Sequence, residues 1–156
     1  MSPKSLLRHP EVVSPLDDFE SGTFHRVIDD TQIGEPGKVK QILLCSGKIF
    51  YELKKRRDEI ARTDTAIVRV EQYYPVPEAE LRAIVKRYSN AGRVTWVQEE
   101  GRNHGAWRFF HFEFGDKLFD KLPFTGIYRP PSASPATGSS NQHKIEQEAI
   151  LKEALG

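Results

Sequence analysis

The stretch that decides the fold is Val94-Thr95-Trp96-Val97-Gln98-Glu99-Glu100-Gly101-Arg102-Asn103-His104-Gly105-Ala106-Trp107. An apolar run ends here in a cluster of polar residues, after which a new apolar pattern begins. Such a change is typical of the carboxyl end of a buried strand that is followed by a helix. We therefore predict a strand over 94–98 and a helix over 104–120.

Strands and helices alternate on both sides of this stretch, because apolar residues recur at spacings of two and then of three to four. Further strands are predicted over 39–45, 65–70 and 124–128. Further helices are predicted to begin at Ser46, Pro77 and Ser139. We expect Ser46 to cap its helix, and Ser139 with Gln142 forms a capping box for a last helix that extends to about Leu155.

This alternation also predicts the fold class and the domain organisation. Parallel strands joined by helices bury both faces of their sheet, so we predict an α/β three-layer sandwich with a mainly parallel sheet. Residues 1–38 are rich in Pro, Gly, Ser and Asp, with one strand-like island over 23–28, and are predicted to form an extended lead-in. The α/β domain is predicted to cover 39–156.

Composition argues against several classes of function. The 156 residues carry a formal net charge of +1, which gives no overall electrostatic basis for binding nucleic acid or an anionic membrane. No apolar run approaches the ~20 residues of a membrane span. Cys45 is the only cysteine, so an intramolecular disulfide and a thiolate zinc site are both excluded. We expect Cys45 to be a packed thiol.

Ligands of open α/β sheets bind beyond the carboxyl ends of the strands. At one such end, Ser46 and Lys48 offer backbone N–H groups and a cation to a phosphate, and ordinary helix capping is the alternative. At another, Arg129 could contact a phosphate, or it could tie the 132–138 tail to the domain. These residues leave open a free-standing α/β module that binds a phosphate-bearing ligand at Ser46, Lys48 and Arg129.

The polar cluster allows two interpretations. Glu99 and Glu100 are adjacent, so on a strand they point to opposite faces and cannot act as an acid/base pair. With Asn103 and His104 nearby, the cluster could form a metal or general-base site, or a polar network that holds the turn or contacts another domain. We favour the network and predict no catalytic, cofactor-binding or metal-binding residue in this chain. Gly105 should allow a close approach or an unusual backbone angle.

The predicted third helix carries more aromatic residues than one face can hold, namely Trp107, Phe109, Phe110, Phe112, Phe114 and Phe119. Some of them should cover neighbouring loops or contact another domain. Trp96, within the preceding strand, is expected in the core.

Four segments form a set of motifs in a fixed order, and they cover residues 3–10, 44–48 with 67–75, 98–107, and 129–138. They resemble motifs of the thiamine-diphosphate-dependent 2-oxoglutarate dehydrogenases, in the first, decarboxylating component. Residues 3–10 are similar to that family's Pro-Lys-Ser-Leu-Leu-Arg-His-Pro linker, and residues 98–107 to its Gln-Glu-Glu-Pro-x-Asn-x-Gly-Ala-Trp segment. The other two resemble its Cys-Ser-Gly-Lys with Arg-x-Glu-Gln-x-Tyr-Pro pair and its Arg-x-x-Ser-Ala-Ser-Pro-Ala-x-Gly tail.

The resemblance implies a transketolase carboxy-terminal fold, with a mixed sheet that has one antiparallel strand. It implies a parent oxidoreductase that uses thiamine diphosphate and Mg²⁺ to decarboxylate 2-oxoglutarate oxidatively in the citric acid cycle. The succinyl group would pass to a lipoyl-bearing succinyltransferase. A 2-oxoadipate dehydrogenase would look similar. Catalytic and cofactor-binding residues of the family lie upstream of these motifs, so this chain alone is expected to be inactive.

The resemblance also implies partners and roles for single residues. The partners are the upstream catalytic domains, a homodimer mate and the succinyltransferase, in the bacterial cytoplasm or the mitochondrial matrix. An adenylate or acyl-CoA effector would contact Ser46, Lys48, Arg69, His104 and Arg129. Structural or interface roles fall to Gln98, Glu99, Glu100, Asn103, Gly105, Trp107, Ser132 and Ser134.

Two positions depart from the family pattern. Gly101 stands where the motif has proline, and His104 stands where glutamine or methionine is usual. We expect Gly101 to loosen the turn that follows the third strand.

Overall fold

The computed structural model describes residues 3–156. Its strands are β1 (Val27–Ile28), β2 (Gln41–Cys45), β3 (Thr65–Val70), β4 (Arg93–Gly101), β5 (Lys117–Leu118) and β6 (Leu122–Arg129). Its α-helices are α1 (Asp17–Glu20), α2 (Ile49–Glu59), α3 (Glu78–Arg87), α4 (Trp107–Phe114) and α5 (Ser140–Leu155). Within these residues, no helix has both the length and the apolar character that a membrane span requires.

The strands form one mixed sheet in the order β1-β3-β2-β4-β6-β5. The four central strands are parallel, whereas β1 pairs antiparallel with β3 and β5 pairs antiparallel with β6. The expectation of a single antiparallel strand is therefore wrong, since both edges carry one. Each of these strands is only two residues long, and β5 reaches β6 through a tight turn that only antiparallel strands permit.

Alternate residues of the central strands pack against helices on opposite faces of the sheet. Ile42, Leu44 and Trp96 contribute to the core under α3 and α4. Leu43 and Val97 contribute to the core under α2 and α5. Buried residues on both faces explain why these strands are apolar almost throughout. The predicted three-layer α/β sandwich is confirmed.

Two predicted helix caps have opposite outcomes. The side chain of Ser139 accepts a hydrogen bond from the backbone N–H of Gln142 at 3.4 Å, as a cap should. The prediction that Ser46 caps its helix is wrong. Helix α2 begins at Ile49, and its N-cap residue is Lys48, whose side chain makes no capping hydrogen bond. Gly47, with a φ of +71°, turns the chain between Ser46 and the helix. Ser46 therefore lies too far back to reach the first free N–H groups.

The third helix is shorter than predicted. Helix α4 ends at Phe114 because Gly115 takes a φ of +62°, which terminates helices and favours glycine. The chain then forms the β5–β6 hairpin. Most of the aromatic residues, including Phe114 and Phe119, join the core on this face. Phe112 is the exception, with 86% of its surface exposed.

The end of the lead-in is attached to the sheet by buried charge. Asp30 and Arg57 form an ion pair whose side chains are each 5% exposed. The Asp30 carboxylate also accepts the backbone N–H of Ile67 in β3 at 2.8 Å. A buried pair stabilises a fold only when such further bonds satisfy its remaining polar atoms. Residues 27–30 are therefore part of the packed structure.

Candidate functional site

The carboxyl ends of the parallel strands bring several of the predicted residues to one edge of the sheet. Lys48 lies at the start of α2, and its Nζ is 2.7 Å from Oε2 of Glu99 on β4. Lys48 also donates a hydrogen bond to Glu52, one helical turn further along α2. Lys48 thus joins two carboxylates from different elements, and its side chain is only 16% exposed.

Burial and ion pairing act in opposite directions on Lys48. Burial by itself would lower the pKa of the ammonium group, since it disfavours the charged form. Hydrogen bonds to Glu52 and Glu99 outweigh this effect, and the pKa of Lys48 is raised. The ammonium group therefore remains charged at every physiological pH.

Arg129, the last residue of β6, binds helix α5. Its Nη2 donates to Oε1 of Gln147 at 2.6 Å, and its Nη1 lies 3.4 Å from Oε2 of Glu146. Gln147 in turn donates to Oε2 of Glu52 at 2.6 Å. A continuous polar chain therefore runs from Glu99 through Lys48, Glu52 and Gln147 to Arg129. We name it the edge network.

The three other predicted effector residues, Ser46, Arg69 and His104, lie outside the edge network, and His104 contacts Ser132 instead. The Arg69 guanidinium carbon is 4.5 Å from the centre of the Phe50 ring, a cation–π distance, and Nε of Arg69 is 3.9 Å from Glu71. Ser46 lies beside the phenol of Tyr73, whose pKa is raised mainly by burial. Of the three predicted effector cations, Lys48, Arg69 and Arg129, Arg69 is therefore the one least compensated by carboxylates.

Gln98 organises the turn between β4 and α4. Its side-chain oxygen accepts hydrogen bonds from the indole N–H of Trp96 at 3.0 Å and from the backbone N–H of Trp107 at 2.9 Å. Its side-chain nitrogen donates to the carbonyls of Gly101 at 3.1 Å and His104 at 2.9 Å. One buried amide thus joins the strand, the turn and the first residue of the helix.

Gly105 is required where this turn passes the Gln98 side chain. Its φ is +64°, and a Cβ added there would lie 2.8 Å from the Gln98 amide atoms. Both reasons predicted for this glycine are therefore present. Gly101, in contrast, is buried as the last residue of β4 and pairs with Arg129. The strand thus continues to Gly101 after a register shift between Val97 and Gly101. The looser turn expected from glycine in place of proline stays a prediction.

Asn103 and His104 hold the 132–138 tail. Asn103 bonds the backbone of Ser132 twice, donating to its carbonyl at 2.7 Å and accepting from its N–H at 3.0 Å. Nε2 of His104 lies 3.0 Å from the same carbonyl. Ser132 and Ser134 then bond to each other at 3.1 Å. The tail is therefore tied down by Asn103 and His104, whereas Arg129 ties down α5.

Trp107 connects the turn with the neighbouring strand. It is 7% exposed and lies against Gly126 of β6, where an added Cβ would be 2.6 Å from the indole ring. The ring of His111, one turn later, stacks on the indole at a centroid distance of 4.9 Å. Trp107 is thus a packing residue that needs glycine at position 126.

The groups that could serve catalysis are dispersed or buried. The Cys45 thiol is fully buried, and burial raises its pKa far above the ordinary value, so it is not a thiolate nucleophile. Glu99 lies in the edge network, while Glu100 is exposed. Within residues 3–156, no group of three or more His, Cys, Asp or Glu side chains has an arrangement that could hold a metal ion.

Sequence reasoning missed the partners of the predicted cations, namely Glu52, Glu146 and Gln147. Glu52 could have been found, because it lies four residues after Lys48 on a helix, a spacing typical of ion pairs. The burial of Gln147 could also have been predicted, because its spacing places it on the same helix face as Ile150 and Ala154, which are buried with it. Nothing in the spacing of Glu146 indicates its contact with Arg129.

Comparison with known proteins identifies the family to which the chain belongs. A family model described as 2-oxoglutarate dehydrogenase C-terminal matches residues 13–155. The E1 component of 2-oxoglutarate dehydrogenase from Cupriavidus necator is 43% identical over 157 aligned residues, which cover 99% of this chain and 16% of that protein. Those from Azotobacter vinelandii and Haemophilus influenzae are 41% and 38% identical, and the match covers 99% of this chain and 17% of each of them.

The chain thus spans about one sixth of the length of these relatives. The matches confirm the family expected from the four motifs. The matched part is, by the description of the family model, the carboxy-terminal part of such enzymes. The chain therefore belongs to the 2-oxoglutarate dehydrogenase C-terminal family, as the carboxy-terminal domain of an E1 component.

Proposed function

We propose that this domain has a structural and interface-forming role in an E1 enzyme that decarboxylates 2-oxoglutarate oxidatively. The parent would transfer the succinyl group to the lipoyl group of a succinyltransferase in the citric acid cycle. The proposal rests on the observation that residues of the family motif make their hydrogen bonds within the domain itself. All four hydrogen-bonding positions of the Gln98 amide are occupied internally, which leaves none for a substrate.

Thiamine diphosphate and Mg²⁺ are proposed to bind the rest of the parent enzyme. A Mg²⁺–diphosphate group needs carboxylate or carbonyl oxygens that converge on the ion. In this domain, Glu52, Glu99 and Glu146 each approach Lys48 or Arg129 instead of a common point. The chemistry of decarboxylation would thus come from the upstream catalytic domains, and this domain would support them.

Exposed apolar side chains support contacts with those upstream domains and with a dimer mate. Phe112 is 86% exposed on α4, and the lead-in exposes Leu7, Val13, Leu16, Phe19 and Phe24 by 70% or more. Such a concentration of exposed apolar residues is typical of a protein interface. Contact with the succinyltransferase belongs to the same proposal.

The isolated chain tests this proposal. Amide exchange should show protected strands around Leu43, Val68 and Val97, because the domain has its own two-sided core. Calorimetry with thiamine diphosphate and Mg²⁺ should give no saturable heat, and 2-oxoglutarate should not be consumed. Cofactor binding together with turnover by the isolated chain would contradict the structural role.

An effector site at the carboxyl edge is the second part of the proposal. An adenylate or acyl-CoA phosphate would contact Ser46, Lys48, Arg69, His104 and Arg129. It would compete with Glu52 and Glu99 for Lys48, and with Glu146 for Arg129. Of these cations, Arg69 is the one that a phosphate could approach with least competition, because its ion-pair partner Glu71 is 3.9 Å away.

The effector site can be tested in the full-length parent. We expect Arg69→Gln to weaken the effector response by roughly 1.5–3 kcal/mol, the value of a hydrogen bond to a charged group, with little change in melting temperature. Arg129→Gln is the contrasting variant, because it should lower stability through loss of contacts with α5. An unchanged dissociation constant for the effector in Arg69→Gln would contradict an effector site at Arg69.

The remaining alternatives are weaker. The family match and the ion pairs of Lys48 and Arg129 do not favour a free-standing module for phosphate-bearing ligands. The relatives named above are all 2-oxoglutarate enzymes, which supports that substrate over 2-oxoadipate. They come from bacteria, which supports a cytoplasmic location.

A further inference from the structure

A groove of about 430 Å³ lies beside the first two turns of helix α4. Trp107, Phe112 and Pro131 supply its apolar surface. Arg102 and Arg108 line it as well, and no carboxylate is among its lining residues. We name it the α4 groove. It shares no residue with the edge network.

The two arginines of the α4 groove are not neutralised by the chain itself. Arg102 and Arg108 are both exposed, and neither guanidinium has an ion-pair partner within 4.0 Å in the part of the chain that the structure describes. Arg129, in contrast, lies 3.4 Å from the carboxylate of Glu146. The positive end of the α4 dipole adds to the charge of the two arginines. The α4 groove therefore attracts an anion.

Trp107 leaves a hydrogen-bond donor free at the groove. It is 7% exposed, and the indole atoms nearest to Gly126 of β6 are Cδ2 and Cε3. Nε1 is on the opposite long edge of the ring, and its N–H donates no hydrogen bond to any residue from 3 to 156. The indole N–H of Trp96 donates to Gln98 at 3.0 Å. Since donors on buried residues are nearly always paired, the free N–H of Trp107 favours an acceptor that enters the groove.

The α4 groove is held in shape by contacts within the domain. Asn103 bonds the backbone of Ser132 at 2.7 and 3.0 Å, which fixes the chain next to Pro131. The His111 ring stacks on the indole of Trp107 at 4.9 Å. A preformed surface loses little conformational entropy when a partner binds. The groove can therefore bind without rearrangement of the turn.

The exposure of Phe112 indicates the kind of ligand. Its side chain is 86% exposed, and the neighbouring Arg102 and Arg108 are exposed as well. A small-molecule site buries most of its ligand, which such exposed walls cannot do. A protein segment can cover this surface, because its backbone extends beyond the groove on both sides. Aromatic residues and arginine are also the types that protein interfaces favour.

We propose that the α4 groove binds an acidic segment of a separate protein. An apolar side chain of that segment packs against Phe112 and Trp107, and its carboxylates pair with Arg102 and Arg108. Arginine suits this contact because its planar guanidinium binds a carboxylate through two parallel hydrogen bonds. The proposal rests on the interface role given to this domain above and adds a partner of defined chemistry. Its failure would leave the cofactor test of the isolated chain unaffected.

Fluorescence anisotropy tests the proposal with a defined probe, the fluorescein-labelled peptide Glu-Glu-Leu-Phe-Glu-Glu. We expect this peptide to bind this chain and the full-length parent with similar dissociation constants. A peptide with serine in place of Leu and Phe, and one with lysine in place of every Glu, should each bind about tenfold more weakly or worse. Binding to this chain but not to the parent would show that the parent's own domains cover the groove. That result, or no binding to either protein, would overturn the proposal.

The arginines have a matched control. Arg102→Gln with Arg108→Gln should raise the dissociation constant of the peptide about tenfold or more, because charge-assisted hydrogen bonds are lost. Lys86→Gln with Lys121→Gln removes the same charge from exposed residues elsewhere on the surface and should leave the constant unchanged. Equal losses of affinity in the two variants would mean that the peptide responds only to the charge of the whole domain, which would overturn the site.

Phe112 and Trp107 provide two further measurements. Phe112→Ser should weaken peptide binding about tenfold, whereas Phe24→Ser, at a phenylalanine that is 70% exposed in the lead-in, should not. If Phe112→Ser instead lowered the mass of this chain in sedimentation, the occupant would be a second copy. In NMR, the indole N–H resonance of Trp107 should shift as the peptide binds, and that of Trp96 should stay in place. A second copy as occupant, or an unmoved Trp107 resonance at saturation, would overturn the proposal.

Discussion

Replacing Gly105 by alanine should strongly destabilise the domain, because two separate costs fall on one residue. The φ of +64° is unfavourable for alanine by roughly 1–2 kcal/mol. The new Cβ would lie 2.8 Å from the Gln98 amide, which must move. That amide is 3% exposed and makes four hydrogen bonds of 2.9 to 3.1 Å, so it cannot move freely.

The second cost follows from those bonds. Losing two of them, at about 1 kcal/mol each and with buried groups left unpaired, adds about 2–3 kcal/mol. The total expected for Gly105→Ala is therefore about 3–5 kcal/mol. Gly47→Ala is the matched control, because its φ of +71° is similar and no atom lies within 4 Å of the added Cβ. It should cost only the backbone term of roughly 1–2 kcal/mol.

Urea denaturation followed by tryptophan fluorescence would measure both free energies of unfolding. A double-mutant cycle with Gln98→Ala sharpens the comparison, since the smaller side chain removes the collision. In that background, the cost of Gly105→Ala should fall to the cost of Gly47→Ala. Equal costs for the two glycine variants in the unmodified chain would refute the role assigned to Gln98.

Three further predictions concern buried groups. Trp96→Ala should cost roughly 3–5 kcal/mol in urea denaturation, because its side chain is 1% exposed; a cost below about 1 kcal/mol would place it outside the core. Asp30→Asn should lower the free energy of unfolding by about 3 kcal/mol or more, because it leaves Arg57 buried and uncompensated. Asp64→Asn, at a partly exposed pair with Arg62, should lower it by less than about 1 kcal/mol. Similar losses for the two variants would contradict the special role of the buried pair. Because the pKa of Lys48 is raised, its contribution to stability is complete below its ordinary value of 10.5 and is lost as pH rises through the raised pKa. Lys48→Met should therefore show a smaller alkaline loss of stability than the parent chain, and parallel pH profiles would argue against the ion pairs.

The central strands were predictable because each is defined by its own residues. The bounds of β3 were predicted as observed, and those of β2 within two residues. Both strands bury both faces, so their apolar character is visible without knowledge of their neighbours. The end of α4 was less predictable, since aromatic residues continue past Gly115 and suggest a longer helix. The left-handed backbone at Gly115 stopped it.

The position of the candidate site was also predictable, but the side-chain contacts within it were not. Parallel strands place their carboxyl ends at one edge, so Lys48, Glu99 and Arg129 were expected near one another. Their partners come from α2 and α5, elements whose distance in sequence says nothing about which side chains meet. Glu52 and Gln147, for example, are 95 residues apart and form a hydrogen bond of 2.6 Å.

The sequence by itself determined the family, the order of the strands and helices along the chain, and the faces that each buries. Those properties depend on local spacing and on motifs that are contiguous in the chain. Only the tertiary structure decided that Arg129 binds α5 instead of the tail, and that Lys48 is shared between two carboxylates. A buried charge takes the partners that packing brings within reach, and packing is a property of the whole fold.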